Sequence, residues 1–240
     1  MTFLYVGGMF LNDAFDVEFD RQHRKERPIP SGAITLRAVW RWGFAWLAAG
    51  LVLLFAVGLT AVALGIVLTL CILLYDAIHK LVTFSPVLMG FCRFWVYLIA
   101  AAAGIQGVTG LAIWCGLALM TYVVGLSFLA RRESTRGPAQ FWPVSLLAAP
   151  ILFALLMNAG PFRERAVLLT LVLALWVLRC LQKTFWTHAV NVGRTVSGLL
   201  AGIVFVDWLA VAPQASRELG GLFLILFLAA LLFQRFVPAT

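Results

Sequence analysis

Four residues near the start of the chain have the types and the spacing of a metal-binding group. The segment NDAFDVEFD contains Asn12, Asp13, Asp16 and Asp20, and its three motif aspartates are spaced i, i+3 and i+7. On an α-helix this spacing places them within about 60° of one another. Three carboxylates on one face repel each other, so they require a counter-charge. Their oxygen atoms suit Mg²⁺, which takes one or two protein carboxylates and completes its shell with water and substrate phosphate.

A basic run follows the aspartates directly. The segment RQHRKER contains Arg21, Arg24, Lys25 and Arg27. Side chains of this type form strong hydrogen bonds with phosphate oxygens, so a metal ion beside them would suit a phosphate-bearing substrate. The same charges are also those of a solvated, charge-balanced loop. That alternative explains the mixture of signs but not three aspartates on one face.

The elements that must position this group are membrane helices. Hydrophobic residues make up 63% of the 240 residues and charged residues only 12%, which exceeds the apolar share of soluble domains. The apolar runs are continuous and long enough for α-helical spans, whereas the strands of a membrane barrel alternate in polarity. We predict an all-α polytopic bundle with about eight full spans, near 36–57, 59–76, 86–105, 108–130, 141–159, 163–182, 193–212 and 219–236.

The apolar residues 1–11 are too few to cross a bilayer. We interpret them as the last part of a further span and expect sequence upstream of it; the alternative is a short native first helix. Residues 1–240 are predicted to form a single transmembrane domain.

The distribution of basic residues predicts the orientation. When successive spans alternate, most of the 18 lysine and arginine residues fall on the side that carries 12–41. The positive-inside rule assigns that side to the cytoplasm. We therefore expect a multi-pass protein of a bacterial inner membrane, in contact with membrane lipid, with the aspartate group on its cytoplasmic face and no nucleic acid partner.

The motif N-D-x-x-D-x-x-x-D at Asn12–Asp20, followed by RKERPIPSGAI, resembles the first aspartate-rich motif of the UbiA superfamily of intramembrane prenyltransferases. The resemblance implies a UbiA-like bundle in which Mg²⁺ holds a prenyl diphosphate while the prenyl group passes to a small lipophilic or aromatic acceptor. It further implies roles for individual residues. Metal ligands would be Asp13, Asp16 and Asp20, with Asp13 and Asp16 catalytic; Asn12, Arg24 and Arg27 would contact the diphosphate.

A second polar loop follows the third span. The segment YDAIHK has Tyr75 and then His79-Lys80, where UbiA members often have tyrosine and then Lys-Arg near the diphosphate. The resemblance implies diphosphate contacts for Tyr75, Lys80 and Arg93, the last two also catalytic. Arg93 lies inside an apolar stretch, where an ionised side chain is energetically unfavourable. We expect it to face the bundle interior or to pair with Asp76; the alternative is an arginine that extends to the interface.

The sequence departs from the UbiA pattern at the later cytoplasmic loop, where the family carries a second aspartate motif. The segment LARRESTR contains one acid, Glu133, among arginines. Glu133 is a candidate ligand of a remaining Mg²⁺, and Arg131 and Arg132 are candidate diphosphate contacts in place of a metal. Two functions stay open: a prenyltransferase, and a non-catalytic UbiA-fold protein that binds or helps export a lipophilic metabolite. The segments YDAIHK, SPVLMGFCR and LARREST resemble the EboC-like branch.

Overall fold

The computed structural model describes residues 1–131, 142–157, 163–185, 192–212, 216–234 and 236. Within these ranges the regular structure is entirely α-helical, which confirms the predicted class. The helices are α1 (Thr2–Phe15), α2 (Val17–His23), α3 (Leu36–Leu54), α4 (Leu59–Ile78), α5 (Ser85–Ala102), α6 (Gly110–Arg131), α7 (Trp142–Met157), α8 (Arg163–Phe185), α9 (Val192–Val211) and α10 (Arg217–Phe233).

Each predicted span coincides with a helix. Among the described residues, four helices are long and apolar enough to cross a bilayer, namely α4, α5, α6 and α9, and α7 is a shorter apolar helix. The bounds differ from the predicted ones by a few residues because local geometry sets the ends. Gly58 adopts φ +138° immediately before α4, and Thr35 caps α3 by accepting a hydrogen bond from the Ala38 amide at 3.3 Å.

The chain forms two compact units, Met1–Ile113 and Trp114–Thr240. In the first unit, α1 packs on α3 and α4, and α4 packs on α5. In the second, α9 packs on α7, α8 and α10, and the buried Tyr122 hydroxyl donates to the Leu199 carbonyl at 2.9 Å. The prediction of a single domain stays a prediction. The core of the first unit consists of Leu4, Leu11, Leu47, Leu54, Ala61, Val62, Leu68 and Ile99.

Glycines in α3 determine how closely α1 approaches it. A Cβ atom built at Gly43 would lie 2.6 Å from Leu11 Cδ2, and one at Gly50 would lie 2.7 Å from Leu4 Cδ2. Both the glycines and the leucines are seven residues apart, so each leucine of one α1 face lies against a glycine of α3. Small residues permit this close packing of membrane helices. The contact fixes α1, whose last turn carries Asn12 and Asp13 at the start of the aspartate motif.

We expect Gly43→Ala to destabilise the protein by about 1–3 kcal/mol, because the added methyl group overpacks the contact with Leu11. The measurement is the free energy of unfolding in detergent. Gly221→Ala is the matched control, since no atom lies within 4 Å of a Cβ built there, and alanine favours the helix. Equal stabilities for the two variants would contradict the close contact.

Candidate active site

The motif aspartates lie on a nearly continuous helical path. Asp13 belongs to α1, Asp16 joins α1 to α2, and Asp20 belongs to α2. Backbone hydrogen bonds of 2.9 Å run from the Asp16 amide to the Asn12 carbonyl and from the Asp20 amide to the Asp16 carbonyl. The helical register therefore continues across the junction. Asp20 is buried, at 2% exposure, whereas Asp13 and Asp16 are partly exposed.

Arg27 connects the first and third aspartates of the motif. Its guanidinium lies 2.7 Å from Asp13 Oδ1 and 3.5 Å from Asp20 Oδ2. Arg27 can reach back to the aspartates because α2 ends at His23, Arg24 leaves the helical conformation (φ −139°, ψ 62°), and the Arg27 amide donates to the Arg24 carbonyl at 3.1 Å in a turn. Arg27 is thus the counter-charge that the buried Asp20 requires.

The C-terminal end of α4 supplies the partners of Asp16. Lys80 Nζ lies 2.7 Å from Asp16 Oδ1, and His79 Nε2 lies 3.4 Å from the same oxygen. Burial opposes ionisation of Asp16, but hydrogen bonds with His79 and Lys80 outweigh it and lower the pKa of this carboxyl group. The hydrogen bond to Asp16 is also the main reason why the pKa of His79 is raised, against the effect of its burial. Lys80 Nζ also lies 4.0 Å from the Phe19 ring centroid.

One turn earlier on α4, Asp76 contacts Asn12. The Asn12 amide Nδ2 donates to Asp76 Oδ1 at 3.0 Å, and Asp76 is 5% exposed. Of the two expectations for Arg93, the pairing with Asp76 is not formed: among the described residues Asp76 makes no ion pair, and its partner is the amide of Asn12. Arg93 lies partly buried in α5.

The remaining predicted residues belong to several elements of the chain. The Tyr75 ring stacks on His79 with centroids 5.1 Å apart. Arg24 is exposed and forms no ion pair within the described part of the chain. Arg131 is the last residue of α6 and belongs to the second unit. Arg132 and Glu133 lie outside the described residues.

Two contacts escaped the sequence reasoning. The sequence pattern predicts neither the contact of His79 with Asp16 nor the contact of Asp76 with Asn12. A local signal existed, since Asp76 precedes Lys80 by four residues just as Asn12 precedes Asp16. Residues four apart share a helix face, so two such pairs on packed helices can contact each other at both positions.

The donor set determines which metal ion the site suits. Among the described residues, no group of three or more His, Cys, Asp or Glu side chains is arranged as a metal cage. The carboxylates of Asp13 and Asp16 each contact a basic side chain instead. Mg²⁺ needs only one or two protein carboxylates when phosphate and water complete its shell. The four aspartates also outnumber their basic partners Arg27, Lys80 and His79, so a divalent cation would offset an acidic excess.

A sequence model of the UbiA prenyltransferase family matches residues 1–187, a stretch that includes the whole aspartate and α4 arrangement. The chain belongs to the UbiA prenyltransferase family. Together with its apolar helices, this membership makes it an integral membrane protein of the polytopic UbiA class.

Similar curated proteins agree with the family. The digeranylgeranylglyceryl phosphate synthase of Sulfolobus acidocaldarius is 28% identical over 137 residues, which is 57% of this chain and 48% of that protein. The synthase of the same name from Methanoregula boonei is 32% identical over 128 residues, which is 52% of this chain and 42% of that protein. The chain thus spans about half the length of the curated relatives it matches. No solved structure matches it.

Proposed function

We propose that this UbiA family member is a membrane prenyltransferase. It would transfer an isoprenyl group from a Mg²⁺-bound prenyl diphosphate to a small lipophilic or aromatic acceptor. The observation that carries the proposal is the convergence of Asp13 and Asp16 with Arg27 and Lys80 in one small region. Carboxylates for a metal and cations for phosphate oxygens are thereby present together.

The residues of this region divide into metal ligands and phosphate contacts. Asp13 and Asp16 would hold Mg²⁺, which neutralises charge on the departing diphosphate. Asp20 is at most a weak ligand, because it is buried against Arg27, and its stronger role is to orient that arginine. Asn12 would contribute its amide oxygen to the ligands of Mg²⁺.

The cations would change partners when substrate binds. Arg27 and Lys80 neutralise carboxylates in the substrate-free arrangement. A metal ion on these carboxylates would take over that task and leave the two cations to bind phosphate oxygens. The further proposed diphosphate contacts are Arg24, Tyr75, Arg93, Arg131 and Arg132, with Glu133 as a further metal ligand. Arg93 and Lys80 are the proposed catalytic cations beside the departing diphosphate.

The acceptor and the cellular side are also proposals. The curated relatives are named for a digeranylgeranylglyceryl phosphate product, so an acceptor with a glyceryl phosphate group belongs in any assay alongside aromatic acceptors. The excess of basic residues beside the aspartate motif favours a cytoplasmic site. The proposed membrane is a bacterial inner membrane.

A second function is favoured by one observation. Between 131 and 137 the sequence has Glu133 as its single acid, so the second aspartate motif of the family is missing. A UbiA-fold protein of the EboC-like branch that binds or helps export a lipophilic metabolite, without turnover, would have no need of that motif.

The decisive experiment uses the full-length protein in detergent. Diphosphate release is followed from prenyl diphosphates of several chain lengths, with aromatic and glyceryl phosphate acceptors, in Mg²⁺ and in EDTA. Release that requires both Mg²⁺ and an acceptor would support the transferase. Mg²⁺-dependent binding of the donor without release under any condition would support the binding protein. Absence of both binding and release would overturn both functions.

We expect Lys80→Met to weaken binding of a prenyl diphosphate by roughly tenfold, because the substrate loses a charge-assisted hydrogen bond. The measurement is the donor Kd in Mg²⁺ from a filter-binding titration. Lys25→Met removes the same charge from an exposed position in the neighbouring loop and should leave the Kd unchanged. An equal effect of both variants would reduce Lys80 to a contributor to the general positive potential.

A further inference from the structure

Asp76 is a buried acidic residue to which the resemblance assigns no role. Its Oδ1 accepts a hydrogen bond from Asn12 Nδ2 at 3.0 Å. Its Oδ2 is fully buried and has no hydrogen-bond partner among the described residues. Asp76 therefore combines a buried carboxylate, one amide partner and one unsatisfied oxygen.

This arrangement is unfavourable for stability alone. An unsatisfied buried polar atom costs free energy, and a charged one costs more. Asp13 at the end of α1 and Asp16 at the junction with α2 carry the same charge sign as Asp76, which adds repulsion. An apolar residue of similar size would pack at this place in α4 without either penalty. A costly ionisable residue in a membrane helix points to a function.

The contact belongs to a two-point connection between α1 and α4. Asn12 contacts Asp76, and Asp16, four residues later, contacts Lys80, four residues after Asp76. The two contacts lie about one helical turn apart along both segments. The connection holds the end of α1 in a fixed rotation against the end of α4.

The contact between Asn12 and Asp76 fixes the orientation of the Asn12 side chain. The Asn12 NH₂ group donates to Asp76 Oδ1, so the contact sets which way round the amide lies. The amide oxygen of Asn12 must then be turned away from Asp76. Without an acceptor at this position, the amide could rotate and present NH₂ instead of oxygen to a metal ion.

We propose that Asp76 is a positioning residue that orients the Asn12 amide, so that its oxygen is available to the metal ion of the diphosphate site. The inference rests on the proposed metal–diphosphate site. It adds to the motif at Asn12–Asp20 a residue 64 positions later in sequence, and it accounts for the retention of an unsatisfied buried carboxylate.

The test uses Mn²⁺, read by its EPR signal, with inorganic diphosphate and the full-length protein. Asp76→Leu is expected to raise the Kd of Mn²⁺ roughly tenfold, as loss of an outer partner of a metal ligand does. Its stability in detergent should be equal to or above that of wild type. Asp76→Asn keeps one acceptor oxygen and should bind Mn²⁺ more tightly than Asp76→Leu does, and it also serves if the leucine variant fails to fold. Thr69→Val, which removes the hydrogen bond to the Gly65 carbonyl on the same helix, is the matched control and should leave the Kd unchanged.

A double-mutant cycle separates positioning from direct binding. If Asp76 acts through the amide, Asp76→Leu should cause no further loss of Mn²⁺ affinity in an Asn12→Ala background. Additive losses would overturn the positioning role, as would an unchanged Kd in Asp76→Leu combined with lower stability. A wild-type protein that fails to bind Mn²⁺ with diphosphate would overturn the proposed function itself, which is a distinguishable result.

Discussion

We expect Asp16→Asn to lower the rate of Mg²⁺-dependent diphosphate release by on the order of 10²- to 10³-fold. Removal of one preorganised electrostatic contact to a transition state has an effect of this size. Asp16 is the aspartate whose pKa is lowered by two basic neighbours, so its carboxyl group is ionised and available to a cation at neutral pH. The amide keeps the shape and can still accept from Lys80, but it removes the negative charge that a divalent cation requires. The measurement is the initial rate of diphosphate release at saturating prenyl diphosphate.

The control for this variant is Glu18→Gln. Glu18 is exposed, forms an ion pair with Arg21 at 2.7 Å, and lies two residues from Asp16. Its substitution makes the same chemical change in the same segment without touching the Asp16 contacts. We expect release by Glu18→Gln to stay near the wild-type rate. Retention of Mg²⁺-dependent release in Asp16→Asn would contradict a metal-ligand role for Asp16, and equal losses in both variants would indicate a general effect of segment charge.

Local sequence pattern predicted the class and most helix positions. The apolar run 59–76 became α4 (Leu59–Ile78), and 36–57 became α3 (Leu36–Leu54). These predictions succeed because a membrane-spanning backbone must satisfy its hydrogen bonds internally, which makes a long apolar run a helix. The helical spacing of Asp13, Asp16 and Asp20 was visible for the same local reason. The structure adds a junction at Asp16 that interrupts the helices without shifting the register.

Contacts between helices were not predictable in the same way. The free-energy cost of an ionised arginine in an apolar stretch makes Asp76 a candidate partner of Arg93. In the structure, Asp76 instead accepts a hydrogen bond from Asn12, 64 residues away. Which side chain meets Asp76 depends on how α1 rotates against α4. That rotation depends on the contacts of Leu4 and Leu11 with α3 glycines, and no local pattern encodes it.

Arg27→Met is expected to destabilise the protein by about 2 kcal/mol. Asp20 would remain buried, with a side chain 3% exposed, and would lose its counter-charge. Removal of one partner from a fully buried ion pair costs about 3–5 kcal/mol, and the smaller value is expected here because the Arg27 side chain is 30% exposed. The measurement is the free energy of unfolding in detergent. Arg41→Met, at an exposed position of α3, is the matched control and should change the stability little.

The same variant separates the two parts of the proposed site. Arg27 holds Asp13 at 2.7 Å, so its removal frees that carboxylate for a divalent cation while it takes a cation away from the diphosphate. Arg27→Met should therefore bind Mn²⁺ alone at least as tightly as wild type, but should bind prenyl diphosphate in Mg²⁺ about tenfold more weakly. Adding Asp20→Asn should recover much of the lost stability, because the buried charge disappears, without recovering donor binding. A double variant that recovered both stability and donor binding would mean that Arg27 acts only by supporting the fold. Recovery of stability without donor binding would mean that Arg27 neutralises a carboxylate before substrate binds and contacts phosphate afterwards.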